Sequence, residues 1–393
     1  MLQALEGSQA LAKAVALCRP QVVAAYPITP QTHIVENLAK LVADGEFNGE
    51  IVSVESEFSA ASVALGAAVA GSRAYTASSS QGILLMGEVL YNIAGLRVPV
   101  VMTCANRAVS APLSIWNDHQ DSMAMRDAGW IQLYCADNQD AIDTSIMAFL
   151  IAETCELPVM VCVDGFILTH TLEALEMPTQ QQVDEFLPVY HYQRALDARH
   201  PLSLGTLVSP DYFPEARHSH HQALLKAEAV INACDQRWAQ ITGREHGGAL
   251  VVEGEAQAQI GILCLGSVYG TLREAQAEYP QLPAVKLLKL RAFRPFPTQL
   301  LRQACAGLTH LIVVERALSP GIGGIVGNEV KAALYGDVVP TLKIHNYALG
   351  LGGRDIPLDI LPRLLQALEA TASLAPDFAI FDLQLHKLPE EDQ

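Results

Sequence analysis

Three short stretches carry residues whose types and spacing suit chemistry on a small acid. Thr29 lies in Tyr26-Pro27-Ile28-Thr29-Pro30, where flanking prolines restrict the backbone and hold the hydroxyl in place. The bland alternative is a proline-stiffened turn. Glu55-Ser56-Glu57 precedes a run of small residues, 58–70, with no further charge. A carboxylate there can serve a helix N-terminus, or it can enter a buried site and hold a proton. Arg107 is the only Lys or Arg between Arg97 and Arg126. An isolated guanidinium suits forked binding of a small carboxylate, and an ion pair to Asp118 or Asp121 is the competing reading. Its loop continues through Trp116-Asn117-Asp118-His119-Gln120-Asp121. Long polar loops of this kind inside compact domains tend to be functional.

Each of these stretches follows an apolar run of strand length, at 21–26, 51–54 and 98–103. Further strands are expected at 74–77, 129–135 and 159–163, with helical spacing at 8–18, 31–42, 56–70 and 140–155. Strands alternating with helices predict βαβ units and a parallel sheet, and runs such as Pro99-Val100-Val101-Met102 suit strands covered on both faces. In an open parallel sheet, ligands bind outside the carboxyl ends of the strands, which is where Thr29, Glu57 and Arg107 fall. The pattern breaks between about 170 and 255, a stretch rich in Pro, His, Tyr and Gln with one amphipathic helix expected at 219–241. It resumes with strands expected at 259–265, 283–290, 310–315 and 341–345, which make a second, smaller α/β domain.

The 393 residues suit two to three domains. Half are apolar and 17% are charged, which excludes a disordered chain. A net charge of −17 without a basic cluster argues against nucleic-acid binding. The eight cysteines are scattered, with no CxxC, so no zinc-finger or iron–sulfur spacing appears. They read as buried thiols of a reducing, cytoplasmic compartment. No secretory signal or membrane-spanning stretch is expected. Gly321-Ile322-Gly323-Gly324-Ile325-Val326-Gly327 loosely suits a phosphate loop, and a tight strand-to-helix turn is the better reading. His218, His220 and His221 read as surface histidines rather than a metal site.

Taken together, Tyr26–Thr32, Glu55-Ser56-Glu57 and Ser78-Ser79-Ser80-Gln81-Gly82 resemble the 2-oxoacid:ferredoxin oxidoreductases. Trp116–Asp121 and Gly350-Leu351-Gly352-Gly353-Arg354-Asp355 resemble the pyruvate branch, in the manner of an alpha chain of a multi-subunit enzyme. Arg291–Pro297 and Ser319-Pro320-Gly321 extend the likeness over nearly the whole chain. The resemblance implies a thiamine diphosphate-binding α/β fold. A pyrimidine-binding domain would span 1–175, a connector 176–255, and a transketolase C-terminal-like domain 256–388.

It also implies oxidative decarboxylation of pyruvate with coenzyme A to acetyl-CoA, carbon dioxide and reduced ferredoxin, or the reverse reaction. In this reading Glu57 hydrogen-bonds the aminopyrimidine of thiamine diphosphate. Ile28, Ser80 and Gln81 help to bind that cofactor. Thr29, Arg107 and Asn117 bind the 2-oxoacid, and this chain holds no metal. A beta chain would carry the diphosphate and Mg2+, while gamma and delta chains or domains would carry the iron–sulfur clusters. The register of the small residues against the family pattern favours Glu57 over Glu55. The rival readings are the same chemistry on branched-chain 2-oxoacids or 2-oxoglutarate, and a non-catalytic scaffold subunit. The loop 106–121 offers no second cation for the extra carboxylate of 2-oxoglutarate.

Overall fold

A computed structural model describes residues 2–336, 342–370 and 378–392. The chain divides into two compact units: Met1–Val251 with Leu290–Pro297, and Val252–Lys289 with Thr298–Gln393.

The first unit opens with β1 (Leu2–Glu6), α1 (Gly7–Leu17), β2 (Val22–Ala25), α2 (Thr32–Ala43), β3 (Glu50–Ser53) and α3 (Glu57–Val69). It continues with β4 (Ala74–Ser78), α4 (Ser80–Leu85), α5 (Gly87–Gly95), β5 (Val100–Asn106), α6 (Gln120–Ala124), β6 (Ile131–Tyr134) and α7 (Asn138–Cys155). Then come β7 (Val159–Asp164), β8 (Leu172–Glu176), α8 (Gln180–Phe186) and the long α9 (Phe213–Thr242). The second unit carries β9 (Leu250–Gly254), within which the chain passes from one unit to the other, β10 (Ile260–Cys264), α10 (Val268–Glu278) and β11 (Val285–Leu290). After β12 (Ala292–Arg294), which returns to the first unit, it holds α11 (Thr298–Cys305), β13 (His310–Glu315), α12 (Val326–Leu334), β14 (Lys343–Ala348), α13 (Ile360–Ala370) and β15 (Ala379–Ile380).

The main sheet of the first unit runs β12-β6-β7-β5-β4-β2-β3. All its pairings are parallel except that of β12 with β6. Its central strands are apolar and covered: Val100, Val101, Met102 and Cys104 are buried, as are Val159 to Val163. The chain lays β3 on one side of β2 and then β4 on the other, so the order reverses at β2. Such a switch point leaves a crevice at the carboxyl ends of the strands. α3 packs close to β2 and β4 through Ala60, Ala61, Ala64 and Ala68, all with no exposed surface. Small side chains there let the helix backbone approach the sheet.

The expected βαβ alternation is present, with boundaries within a few residues. The antiparallel pair of β1 and β8 was not visible in the sequence pattern, because both strands are half-exposed and end in Glu residues. Of the connector expected at 176–255, residues 176–251 fall within the first unit and 252–255 within the second. There α9 buries Ala227, Ile231, Cys234 and Trp238 along one helical stripe, with Trp238 edge-on to Phe186 at 5.0 Å. His220 is not a surface residue. It is buried against Gly129, whose carbonyl oxygen is 3.1 Å from Nε2. Arg291, within the span expected as the second domain, is buried in the first unit and bonds Asp140, Thr144 and the Gly248 carbonyl. Thr341, at the start of an expected strand, lies outside the described residues.

In the second unit the sheet runs β15-β14-β13-β10-β11-β9. Its glycine-rich segment answers the phosphate-loop reading. The buried Glu315 carboxylate accepts hydrogen bonds from the backbone N–H groups of Ile325 (2.8 Å), Val326 (2.9 Å) and Gly327 (3.1 Å), and from Asn346 Nδ2 (2.7 Å). The N-terminus of α12 thus already holds an internal anion. A Cβ at Gly324 or Gly327 would strike Asn346, which explains the small residues without any phosphate. Burial pushes the Glu315 carboxyl upward, and the four donors pull it back. Glu315→Ala is expected to strand these donors and lower stability by about 3 kcal/mol or more, read as an earlier thermal transition.

Candidate active site

The site grows from the carboxyl ends of β2, β3, β4 and β5. After β3, Ser56 caps α3, its hydroxyl accepting from Ser59 N at 3.2 Å. Capping places Glu55 and Glu57 differently. Glu55 is exposed and accepts a hydrogen bond from the Ser59 hydroxyl, which lowers its pKa. Glu57, one residue inside the helix, is 7% exposed. No hydrogen bond within the described residues takes up its carboxylate. Its Oε1 faces Gly82: a Cβ there would lie 2.7 Å from it and would also strike the Ser78 hydroxyl. Gly82 is therefore small because the carboxylate occupies that space.

β4 ends in a row of buried hydroxyls. Thr76 Oγ1, Ser78 Oγ and Ser79 Oγ have no hydrogen-bond partner, and neither does Gln81 Nε2. Ser80 begins α4 at φ +50°, a backbone region that non-glycine residues seldom adopt. Its hydroxyl donates to the Ala108 carbonyl at 2.5 Å and is also bonded to Gln81 Oε1. In the β2 loop, Gln31 Oε1 accepts from Ile28 N at 3.2 Å, and Gln31 Nε2 is buried without a partner. Ile28 thus spends its backbone N–H inside the turn. Thr29 stands exposed just beyond it.

β5 delivers Asn106 and Arg107. The Arg107 guanidinium makes neither of the ion pairs that the sequence allowed. Nη1 donates to the Thr29 carbonyl at 2.9 Å and Nε to the Ser114 carbonyl at 3.1 Å. Two of its five N–H groups are used, and three remain for a ligand. The bond to Thr29 joins the two residues expected to share a substrate.

Asp121 organises this arrangement. It has no exposed surface. Its Oδ1 accepts from Asn106 Nδ2 and Ser122 N, both at 2.8 Å. Its Oδ2 accepts from Ser80 N at 2.8 Å and Arg107 N at 3.0 Å. One carboxylate therefore ties the end of β4, the end of β5 and the start of α6. Burial raises its pKa, and the same four donors oppose that rise. The sequence marked Asp121 only as a possible partner of the Arg107 side chain. Nothing in its spacing reveals that it binds the Arg107 backbone instead.

Asn117 lies in the loop carried by Arg107, where Ala108 N donates to the Trp116 carbonyl at 3.0 Å. It is 1% exposed, yet both its amide atoms lack partners. Nearby, His119 Nε2 and Asp164 Oδ1 are 2.7 Å apart, both almost fully buried. Buried polar atoms are normally paired. The unpartnered set here (Gln31, Thr76, Ser78, Ser79, Gln81 and Asn117, with the open Glu57 carboxylate) is concentrated at one end of one sheet. A flat ring bearing donors and acceptors, such as an aminopyrimidine, fits that donor and acceptor set.

Comparison with known proteins bears on the same surface. Residues 13–236 match the family described as "Pyruvate flavodoxin/ferredoxin oxidoreductase, thiamine diP-bdg", and residues 258–360 match "Pyruvate:ferredoxin oxidoreductase core domain II". Pyruvate synthase subunit PorA of Methanosarcina barkeri is 43% identical over 392 residues, covering 98% of this chain and 96% of the relative. The PorA of Methanothermobacter thermautotrophicus is 44% identical, covering 91% and 92%. Ketoisovalerate oxidoreductase subunit VorA of Pyrococcus abyssi is 40% identical, covering 89% of each. Among solved structures, 2-oxoglutarate:ferredoxin oxidoreductase from Magnetococcus marinus superposes with a TM-score of 0.70 at 19% identity. The match covers 93% of this chain but 65% of that longer one, a likeness of fold alone.

Asp121→Asn cannot accept all four hydrogen bonds, because its amide nitrogen is itself a donor. For the 2-oxoacid reaction that the sequence resemblance implies, kcat/KM is expected to fall about 100-fold, the scale of a misplacement of roughly 1 Å. Steady-state dye reduction by the assembled enzyme measures it.

Proposed function

Because the chain belongs to the pyruvate:ferredoxin oxidoreductase family, we propose that the carboxyl-end crevice of its first unit supplies the pyrimidine side of a thiamine diphosphate centre. The enzyme is a pyruvate synthase, catalysing oxidative decarboxylation of pyruvate with coenzyme A or the reverse, and this chain is one of its subunits. The observation that carries the assignment of the site is the open carboxylate of Glu57. A buried carboxylate with no hydrogen bond among the described residues, at the switch point of a parallel sheet, is placed for a ligand.

When bound, thiamine diphosphate supplies the electron sink for cleavage of the bond between the carboxylate and the keto carbon. Glu57 holds a proton against the pyrimidine ring nitrogen and fixes that ring's tautomer. Gly82 leaves room for the contact, and Gln81 Nε2 offers a further donor beside it. Ile28 contributes its side chain to the wall, since its N–H is engaged by Gln31. Ser80 acts on the same wall through its fixed backbone. The three remaining N–H groups of Arg107 receive the pyruvate carboxylate, with the Thr29 hydroxyl and the Asn117 amide set around the carbonyl oxygen. The Arg107 guanidinium is held by the Thr29 and Ser114 carbonyls before the substrate arrives, which lowers the cost of ordering it.

A partner chain of beta type would bring the diphosphate and Mg2+, and gamma and delta chains or domains the iron–sulfur clusters that reduce ferredoxin. The eight cysteines of this chain are all free, and Tyr26, Phe58 and Trp116 stand exposed in the site's own segments, as a surface covered by a partner would have them. No helix among the described residues is long and apolar enough to cross a membrane. We place the protein in the cytoplasm on its free thiols. The VorA relatives keep a branched-chain 2-oxoacid as the second substrate reading.

Glu57→Gln is expected to cut pyruvate-dependent dye reduction by about 100-fold or more, while the subunits still assemble. Turnover within about tenfold of the parent would move the role elsewhere. Arg107→Ala is expected to raise the KM for pyruvate about 10- to 100-fold, the loss of one charged hydrogen-bonding group.

A further inference from the structure

Beside the Thr29 loop, three side chains from separate segments converge on the surface of the first unit. Glu6 ends β1, His33 lies in the first turn of α2, and His170 precedes β8. One ligand atom from each falls within 4.8 Å of the other two. His33 Nδ1 is 3.0 Å from Glu6 Oε1, and the two imidazole rings lie 4.7 Å apart.

The backbone beneath them is fixed. Glu6 pairs with Leu172 in the β1–β8 ladder. Ser8, two residues later, bonds the Thr169 carbonyl through both its N–H and its hydroxyl, at 2.8 and 2.7 Å. Thr169 is fully buried, and its hydroxyl lies 2.8 Å from His170 Nδ1. The contact at Nδ1 leaves Nε2 as the ring nitrogen of His170 that the Thr169 hydroxyl does not take up. A second group that orients the imidazole in this way is the usual support of a ligating histidine.

An ordinary ion pair explains this cluster poorly. An exposed Glu–His pair contributes little, and it gives no reason for a second imidazole to be set against the first. We propose that Glu6, His33 and His170 form a Zn2+ site, with water as the fourth ligand. Two imidazole nitrogens and one carboxylate oxygen are a borderline donor set that suits Zn2+ over Mg2+ or Ca2+. Tetrahedral coordination at about 2.0–2.1 Å draws the ligand atoms to about 3.4 Å apart. Rotation of these partly exposed side chains covers the difference. The bound ion would tie the start of α2, just after the Thr29 loop, to the β1–α1 junction and to the segment ahead of β8. The inference is independent of the role given to Glu57.

The test is equilibrium dialysis of the full-length, chelator-treated chain against Zn2+, with metal content measured directly. One tightly held Zn2+ per chain is expected. His33→Ala and His170→Ala should each weaken it by about 100-fold, and Glu6→Gln by about 10-fold or more. Far-UV circular dichroism should stay unchanged, since all three side chains are partly exposed. Co2+ in place of Zn2+ should give the visible bands of a tetrahedral ion in the parent and lose them in His33→Ala. Failure of the parent to retain Zn2+, undiminished binding by the two histidine variants, or equal affinity for Mg2+ would overturn the assignment.

Discussion

Four N–H donors converge on one buried carboxylate, and the arrangement of the site depends on that convergence. Asp121 takes two donors on each oxygen, from β4's end, β5's end and its own helix. A carboxylate stripped of water is costly unless its oxygens are bonded, so the three segments are held in one relation to each other. Ser80 keeps its left-handed backbone because its N–H is captured there. Arg107 spends its backbone on Asp121, which leaves its guanidinium free to reach Thr29. Positioning and ligand binding are thus divided between the main chain and side chain of a single residue.

The second unit uses the same device for a different end. Glu315 fills the α12 N-terminus with the protein's own anion, where a phosphate loop would keep that position open. A buried carboxylate surrounded by donors is structural in both units. The contrast with Glu57 is chemical: it is buried and acidic, and no hydrogen bond among the described residues takes up its carboxylate. Of Asp121, Glu315 and Glu57, it alone has unspent acceptors on both oxygens.

Much of this was legible in the sequence, for identifiable reasons. The covered strands read as continuous apolar runs, and the strand ends stood out because Thr29, Glu57 and Arg107 interrupt apolar or small-residue surroundings. The choice of Glu57 over Glu55 came from the family resemblance, through the register of the small residues against the family pattern; in the structure Glu57 is buried and Glu55 exposed. What stayed hidden depends on contacts between distant segments. Asp121 looked like one more acid in a polar loop. His220 looked exposed until Gly129 was found to accommodate its ring. Arg291 falls in the span expected as the second domain, yet its buried bonds to Asp140 and Thr144 fasten it to α7 in the first unit. The pairing of β1 with β8, and with it the meeting of Glu6, His33 and His170, joins residues more than 130 positions apart, which no local period reports.

In the proposed centre, Glu57 faces the cofactor's pyrimidine while Arg107 and Thr29 face the 2-oxoacid. The most direct measurement is an experimental structure of the assembled enzyme with thiamine diphosphate and pyruvate bound. The account predicts a carboxylate oxygen of Glu57 within about 2.6–3.2 Å of a pyrimidine ring nitrogen, and the pyruvate carboxylate on the Arg107 guanidinium. A pyrimidine ring seated on a different acid, or Glu57 spent on a contact with a partner subunit, would contradict it.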